Sequence, residues 1–152
     1  MNPEAAGSRP NPRDQAFPRR IDSLDEVFRF VSDALADLGV DSQHEFTVHL
    51  VVEEVFTNMV KYNPASLREI TLGIDREGSL LRVRLVDPDA DSFDLTQAPE
   101  VDVNQPLADR TPGGLGIHLV RRMTESLSYR YESRTSTIEM GIRLDQNPPG
   151  TE

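Results

Sequence analysis

Val52-Glu53-Glu54-Val55-Phe56-Thr57-Asn58-Met59-Val60-Lys61-Tyr62-Asn63 is the stretch on which the reading of this chain turns. Its apolar positions recur at helical spacing, and Asn63-Pro64 stops it. Residues four apart on a helix share a face, so Glu54 and Asn58 project together, with Lys61 three positions further on. A carboxylate, an amide and an ammonium therefore lie on one stripe of a helix that is otherwise core. Burying such groups is costly unless each finds a partner. Glu53 points about 100° away and reads as solvent-facing.

Upstream, Ser23-Leu24-Asp25-Glu26 reads as a capping box. Leu24, Val27, Phe28, Val31, Leu35 and Leu38 then predict a first helix, closed by Gly39. Ser42-Gln43-His44-Glu45 reads as a second capping box. It opens the helix that carries the quoted stretch, with Phe46, Leu50, Val51, Val55, Phe56, Met59 and Val60 as its apolar positions. Downstream the period changes to two. Residues 69–75 read as a strand, Arg76-Glu77-Gly78-Ser79 as a turn, and Leu81, Val83 and Leu85 as the inward positions of a paired strand. A long connection over 87–112 follows, with the prolines and glycine that mark a functional or mobile loop. Residues 114–127 predict a third helix, and 127–132 with 137–144 a final hairpin. This order predicts an α+β sandwich of two layers, with the helices gathered on one face of the sheet.

A chain of 152 residues suits one domain with one core. The boundaries expected are a disordered segment over 1–14, a folded domain over 15–144 and a disordered Pro/Gly tail over 145–152. A formal net charge of -10 repels nucleic-acid phosphates and excludes nucleic acid as the main partner. No apolar run approaches the roughly eighteen residues of a membrane span, and the N-terminus has no apolar signal region, so the expectation is a cytoplasmic protein without a membrane role. With no cysteine there is no disulfide framework, thiolate zinc site or cysteine nucleophile. Of 16 basic residues only Lys61 is a lysine, the compact point charge suited to a phosphate oxygen.

Two further segments carry chemistry. Pro112-Gly113-Gly114-Leu115-Gly116-Ile117 opens a helix, where backbone N–H groups and the helix dipole favour an anion. Taken alone, a plain loop-to-helix turn is the simpler reading of that run. Asp87 ends an apolar strand, and a carboxylate there can accept a hydrogen bond from an exocyclic amine. Asp89, Asp91 and Asp94 read as a solvated acidic loop. On the central helix, the Asn58 carbonyl oxygen suits Mg²⁺, and Glu54 can orient or deprotonate a hydroxyl. His44, His49 and His118 have no ligand spacing, and no serine-hydrolase elbow is present.

Taken together, Glu54-x-x-x-Asn58-x-x-Lys61-Tyr62, the strand-end Asp87 and Gly113-Gly114-Leu115-Gly116 resemble, in order and type, the GHKL (Bergerat-fold) ATPase superfamily. The likeness is to its RsbW-like anti-sigma-factor serine/threonine kinases, covers about residues 15–144, and includes the lead-in Phe17-Pro18. The resemblance implies a two-layer sandwich on a mostly antiparallel mixed sheet. It implies Glu54 as general base, Asn58 as Mg²⁺ ligand and Lys61, with neighbouring Tyr62, at the phosphates. Asp87 becomes the reader of adenine, Gly113, Gly114, Leu115 and Gly116 the phosphate loop, residues 95–112 the lid, and Thr137 an adenine support from the last hairpin. ATP and Mg²⁺, an anti-anti-sigma partner with an acceptor serine, a sigma factor and a homodimer follow from the same resemblance.

One position departs from the pattern. The family carries glycine two residues after the adenine aspartate, and here that residue is Asp89. No Lys or Arg occurs from Asp87 through Asp109, so the sequence offers no local cation to offset the added charge. The expectation is weakened nucleotide binding, and the alternative reading is a non-catalytic interaction module of the same fold.

Overall fold

Alternating apolar residues need a surface to pack on, and helices with one apolar stripe provide it. The computed structural model describes residues 13–91 and 114–148. Among them are strands β1 (Arg13–Phe17), β2 (Ile70–Glu77), β3 (Leu80–Pro88), β4 (Ser126–Glu132) and β5 (Thr135–Arg143), and helices α1 (Leu24–Asp37), α2 (Glu45–Tyr62) and α3 (Gly114–Met123). The strands form one sheet in the order β1-β2-β3-β5-β4, and each pairing is antiparallel. The α+β sandwich expected from the sequence is the observed architecture. The one difference is that the sheet of the described residues has no parallel component.

The core lies between sheet and helices. Ile70, Leu72 and Ile74 of β2, Leu81, Val83 and Leu85 of β3, and Ile138, Met140 and Ile142 of β5 are buried against Val51, Val52, Val55 and Phe56 of α2. Alternation along β3 puts Asp87 in phase with Leu81, Val83 and Leu85, so its carboxylate faces the helices. Helix α1 closes the β1 end of the sheet, where Phe17 meets Phe30 edge-on with ring centroids 5.7 Å apart.

Several local expectations are corrected. Strand β1 had no place in the sequence reading, because only Phe17 of its five residues is fully buried. Its pairing with β2, from Arg13↔Ile74 to Phe17↔Ile70, makes it a strand. Neither expected capping box forms. The Ser23 hydroxyl donates to the Pro18 carbonyl at 2.8 Å, and the turn before α2 is capped by Asp41, whose carboxylate accepts from the Gln43 N–H at 3.0 Å. Gly39 does close α1: at φ +70 it lets the Val40 N–H reach the Leu35 carbonyl at 2.9 Å, a Schellman arrangement. Helix α3 ends at Met123 rather than at 127, and the Thr124 hydroxyl folds back onto the Val120 carbonyl at 2.9 Å. Phe46, expected on the apolar face of α2, is 72% exposed.

The two ends of the expected domain also differ in detail. Arg13 and Asp14, read as part of the leader, are the first residues of β1. Of residues 145–148, read as tail, Pro148 is buried while Asp145, Gln146 and Asn147 are exposed, and Asp145 receives the Arg143 guanidinium at 3.0 and 2.7 Å. A proline loses little conformational freedom on ordering and brings an apolar ring. The rest of the leader and tail lies outside the described residues.

Candidate functional site

Helix α2 presents its C-terminal half to the end of β3, and the expected residues meet there. Asn58, Tyr62 and Asp87 line one cleft with Met59, Asn63, Tyr129, Ser136 and Ile138. Asn58 is 1% exposed on this otherwise apolar helix. Its amide nitrogen donates to Glu54 Oε2 at 2.8 Å, one turn earlier. That bond fixes the amide orientation and leaves the Asn58 carbonyl oxygen buried without a hydrogen-bond partner among the described residues. A buried carbonyl oxygen left unpaired costs about 1–3 kcal/mol unless something else binds it. A hard cation that takes oxygen ligands fits that atom. Among the described residues no cluster of His, Cys, Asp and Glu could hold a metal by itself. Mg²⁺ at Asn58 would therefore rely on phosphate oxygens and water for its remaining ligands.

Asp87 is the second fixed point. It is 1% exposed, and both carboxylate oxygens are engaged. Arg19 Nη2 donates to Oδ1 at 2.5 Å, and Asn63 Nδ2 donates to Oδ2 at 2.8 Å. Burial pushes the Asp87 carboxyl up from its ordinary range; the Arg19 guanidinium and the Asn63 amide pull against that shift, and Asp89 adds to it. The Arg19 side chain is 5% exposed and also donates to the carbonyls of Arg68 at 3.2 Å and Met59 at 3.3 Å. It ties the segment after β1 to the end of α2 and the end of β3. The space left in the cleft is about 20 Å³, which holds about one water molecule. The Asn58 end thus keeps one unpaired oxygen that a cation could take, and the Asp87 end is closed by protein donors.

The remaining site residues divide. Lys61 is exposed on the last turn of α2, and Tyr62 is half-buried. Gly114, Leu115 and Gly116 form the first turn of α3, which packs against α2. Gly113 and the expected lid over 95–112 lie outside the described residues. Thr137 is paired with Val86 on the face of the sheet away from the helices. The hydroxyl on the cleft side is its neighbour Ser136, 6% exposed and directly across from Asp87. The phase set by Ile138, Met140 and Ile142 already pointed to 136 rather than 137. Arg19 and Asn63 were missed as site residues; the only sequence signal for Arg19 was its place just after Phe17-Pro18, and Asn63 read as a helix stop.

Asp89 and Asp91 are exposed, as expected of a solvated acidic loop, but their charge is not left without a local cation; Asp94 lies outside the described residues. Asp89 adopts φ 54, the left-handed region that favours glycine, and turns its side chain outward to accept from Arg134 Nε at 3.0 Å. Arg134 Nη1 reaches Asp91 at 3.3 Å. The cations absent from residues 87–109 are supplied from residue 19 and from the β4–β5 turn. Tyr131 donates to the Ala90 carbonyl at 2.8 Å, and Asn63 Oδ1 accepts from the Asp91 N–H at 3.1 Å, so residues 90 and 91 are held from both sides. A larger cavity, about 280 Å³, lies at the far end of α2 beside His44 and Thr47 and includes none of these residues.

Helices on one face of an antiparallel sheet, a buried amide on the central helix, a strand-end carboxylate and a glycine-rich helix start define an ATPase-type α+β domain. Residues 17–142 match the histidine kinase-like ATPase domain, and the chain belongs to that family. No curated protein is matched. Solved structures share the fold, among them two with TM-scores above 0.6. The RsbU and RsbW domains of Rv1364c from Mycobacterium tuberculosis superpose with a TM-score of 0.64 at 14% identity over 89% of this chain. The SiaB–SiaC complex from Pseudomonas aeruginosa gives 0.62 at 18% identity, over 86% of this chain and 88% of that one. The present chain spans 33% of the Rv1364c chain.

Proposed function

We propose that this chain is an ATP-dependent protein kinase that phosphorylates a serine or threonine on a partner protein and acts as an anti-sigma regulator in a partner-switching system. The observation that carries this reading is the buried Asn58 carbonyl oxygen, oriented by Glu54 and lacking a protein partner among the described residues. Asn58 would hold Mg²⁺, which neutralises phosphate charge when bound. Glu54 Oε1 is free of the Asn58 contact and would take the proton of the attacking hydroxyl, while the γ-phosphoryl group passes to that oxygen and ADP leaves. Lys61 and the first turn of α3 would contact the phosphates. The partner is read from likeness: the RsbW domain shares this fold, and SiaB is seen in a complex with SiaC.

Titration calorimetry with Mg-ATP, followed by incubation with labelled ATP and a cognate acceptor domain, tests the proposal. Heat of binding and a phosphoserine or phosphothreonine product are expected; no heat at millimolar nucleotide refutes it. A second reading, an interaction module without turnover, is favoured by the engaged carboxylate of Asp87 and the narrow cleft. It expects partner binding and no phosphorylated product.

A further inference from the structure

Charged and apolar groups come together in the cavity of about 280 Å³ where the start of α2, the end of α3 and the end of β5 meet. That volume lies near the lower end of the range for small-molecule sites, so it suits a ligand of modest size. Its wall includes His44, which is 1% exposed and has no hydrogen-bond partner on either ring nitrogen among the described residues. An imidazole always carries at least one N–H, and buried polar atoms are ordinarily paired, so this ring has an unmet donor. The N–H groups at the helix start are not the attraction. The Gln43 N–H donates to the Asp41 carboxylate and the His44 N–H to the Asp41 carbonyl, both at 3.0 Å. Arg122, exposed in the last turn of α3, also lines the cavity and has no hydrogen bond or ion pair among the described residues. The other guanidinium, Arg143, is committed to Glu125 at 3.3 Å and to Asp145 at 3.0 and 2.7 Å, and so offsets the acids nearby. Met123, Ile142 and Pro148 supply an apolar wall.

We propose that this cavity binds a small organic carboxylate with an apolar body. Arg122 takes the carboxylate in a charge-assisted hydrogen bond. His44 donates its ring N–H to the ligand, and Met123, Ile142 and Pro148 cover the apolar body. An inorganic anion matches only the guanidinium and a hydrocarbon matches only the apolar wall, whereas an organic acid matches both. The site is separate from the nucleotide cleft, since His44 precedes Asn58 by about 21 Å along the helix axis. Its failure would leave the kinase reading standing, and the reverse holds too.

The test titrates benzoate, benzamide and inorganic phosphate into the full chain at constant pH and ionic strength, with the imidazole signals followed by proton–nitrogen NMR. The chain has 3 histidines, so His44 is read beside His49 and His118, which do not line the cavity. Benzoate should shift the His44 ring signals saturably and leave those of the other two in place. Benzamide, the same ring without the charge, should bind about fivefold more weakly or worse. Phosphate should leave the His44 signals unchanged. Arg122→Gln, a change at an exposed position that leaves the core intact, should weaken benzoate binding by about the same factor. No saturable shift at tens of millimolar benzoate overturns the proposal. Benzamide binding as tightly as benzoate overturns it, because the charge is then not recognised. Saturation of the same signals by phosphate, or an equal benzoate affinity in the variant, overturns it as well.

Discussion

Asn58 carries one hydrogen bond on its nitrogen and none on its oxygen among the described residues, an asymmetry that packing alone does not favour. Asn58→Ala should abolish phosphotransfer. It should cost only about 1 kcal/mol in stability, since the bond lost is a single one to the half-buried Glu54. Circular dichroism and a phosphotransfer assay on the same preparation check this, and surviving transfer would remove Asn58 from the metal site. Asp89 teaches the opposite lesson. In sequence it is an unneutralised charge where a glycine is expected, and in the fold it adopts the glycine-like backbone and points its charge at Arg134. The partner comes from a turn 45 residues away, which no local reading of the acidic segment contains.

Among the elements, the end of α1 and the α1–α2 seam are the most testable. A Cβ at Gly39 would meet Arg76 Nη1 at 3.7 Å, an ordinary contact, so the cost of Gly39→Ala is that of a left-handed backbone at φ +70. That is about 1 kcal/mol by denaturant unfolding, with no change in nucleotide titration. Across the seam, His49 stacks on Phe28 with centroids 5.0 Å apart and meets the Ser32 hydroxyl at 3.2 Å. Burial lowers its pKa below the usual 6.5, although Glu45 and Glu53 oppose the shift. Below 6.5 the unfolded chain therefore binds the proton before the folded one does, and stability falls as pH is lowered through that window. Urea unfolding at several pH values should display this slope, and His49→Gln should flatten it. The raised pKa of Asp87 acts in the other direction, favouring the fold as pH drops toward the carboxylate range, and it persists in the variant.

For the molecule as a whole, one core joins the sheet to α1, α2 and α3, so unfolding should be a single transition. Phe56 is fully buried at its centre, and Phe56→Ala should cost about 3–5 kcal/mol without splitting that transition. A much smaller loss, or two transitions, would mean that the layers are not one cooperative unit. The helices, both hairpins and the sandwich were legible because each shows its own period: apolar residues at helical spacing in Leu24–Leu38 and Phe46–Val60, and alternation in Ile70–Ile74, Leu81–Leu85 and Ile138–Ile142. Strand β1 was not legible, since Arg-Asp-Gln-Ala-Phe has no period of its own and becomes a strand only by adding to the edge of β2.

The amino-acid order by itself determined which groups could do chemistry: Glu54 and Asn58 on one helical stripe, Asp87 in phase with the core of β3, and glycines at the start of α3. Those placements depend on periods of a few residues, which any stretch of chain carries within it. Tertiary structure alone decided which of those groups are already engaged. Arg19 meets Asp87 across 68 residues, Asn63 bonds to the other oxygen of Asp87, and Ser136 rather than Thr137 faces the cleft. A hydrogen bond depends on positions in space to within a fraction of an ångström, and residues so distant along the chain acquire those positions only when sheet and helices close on one another.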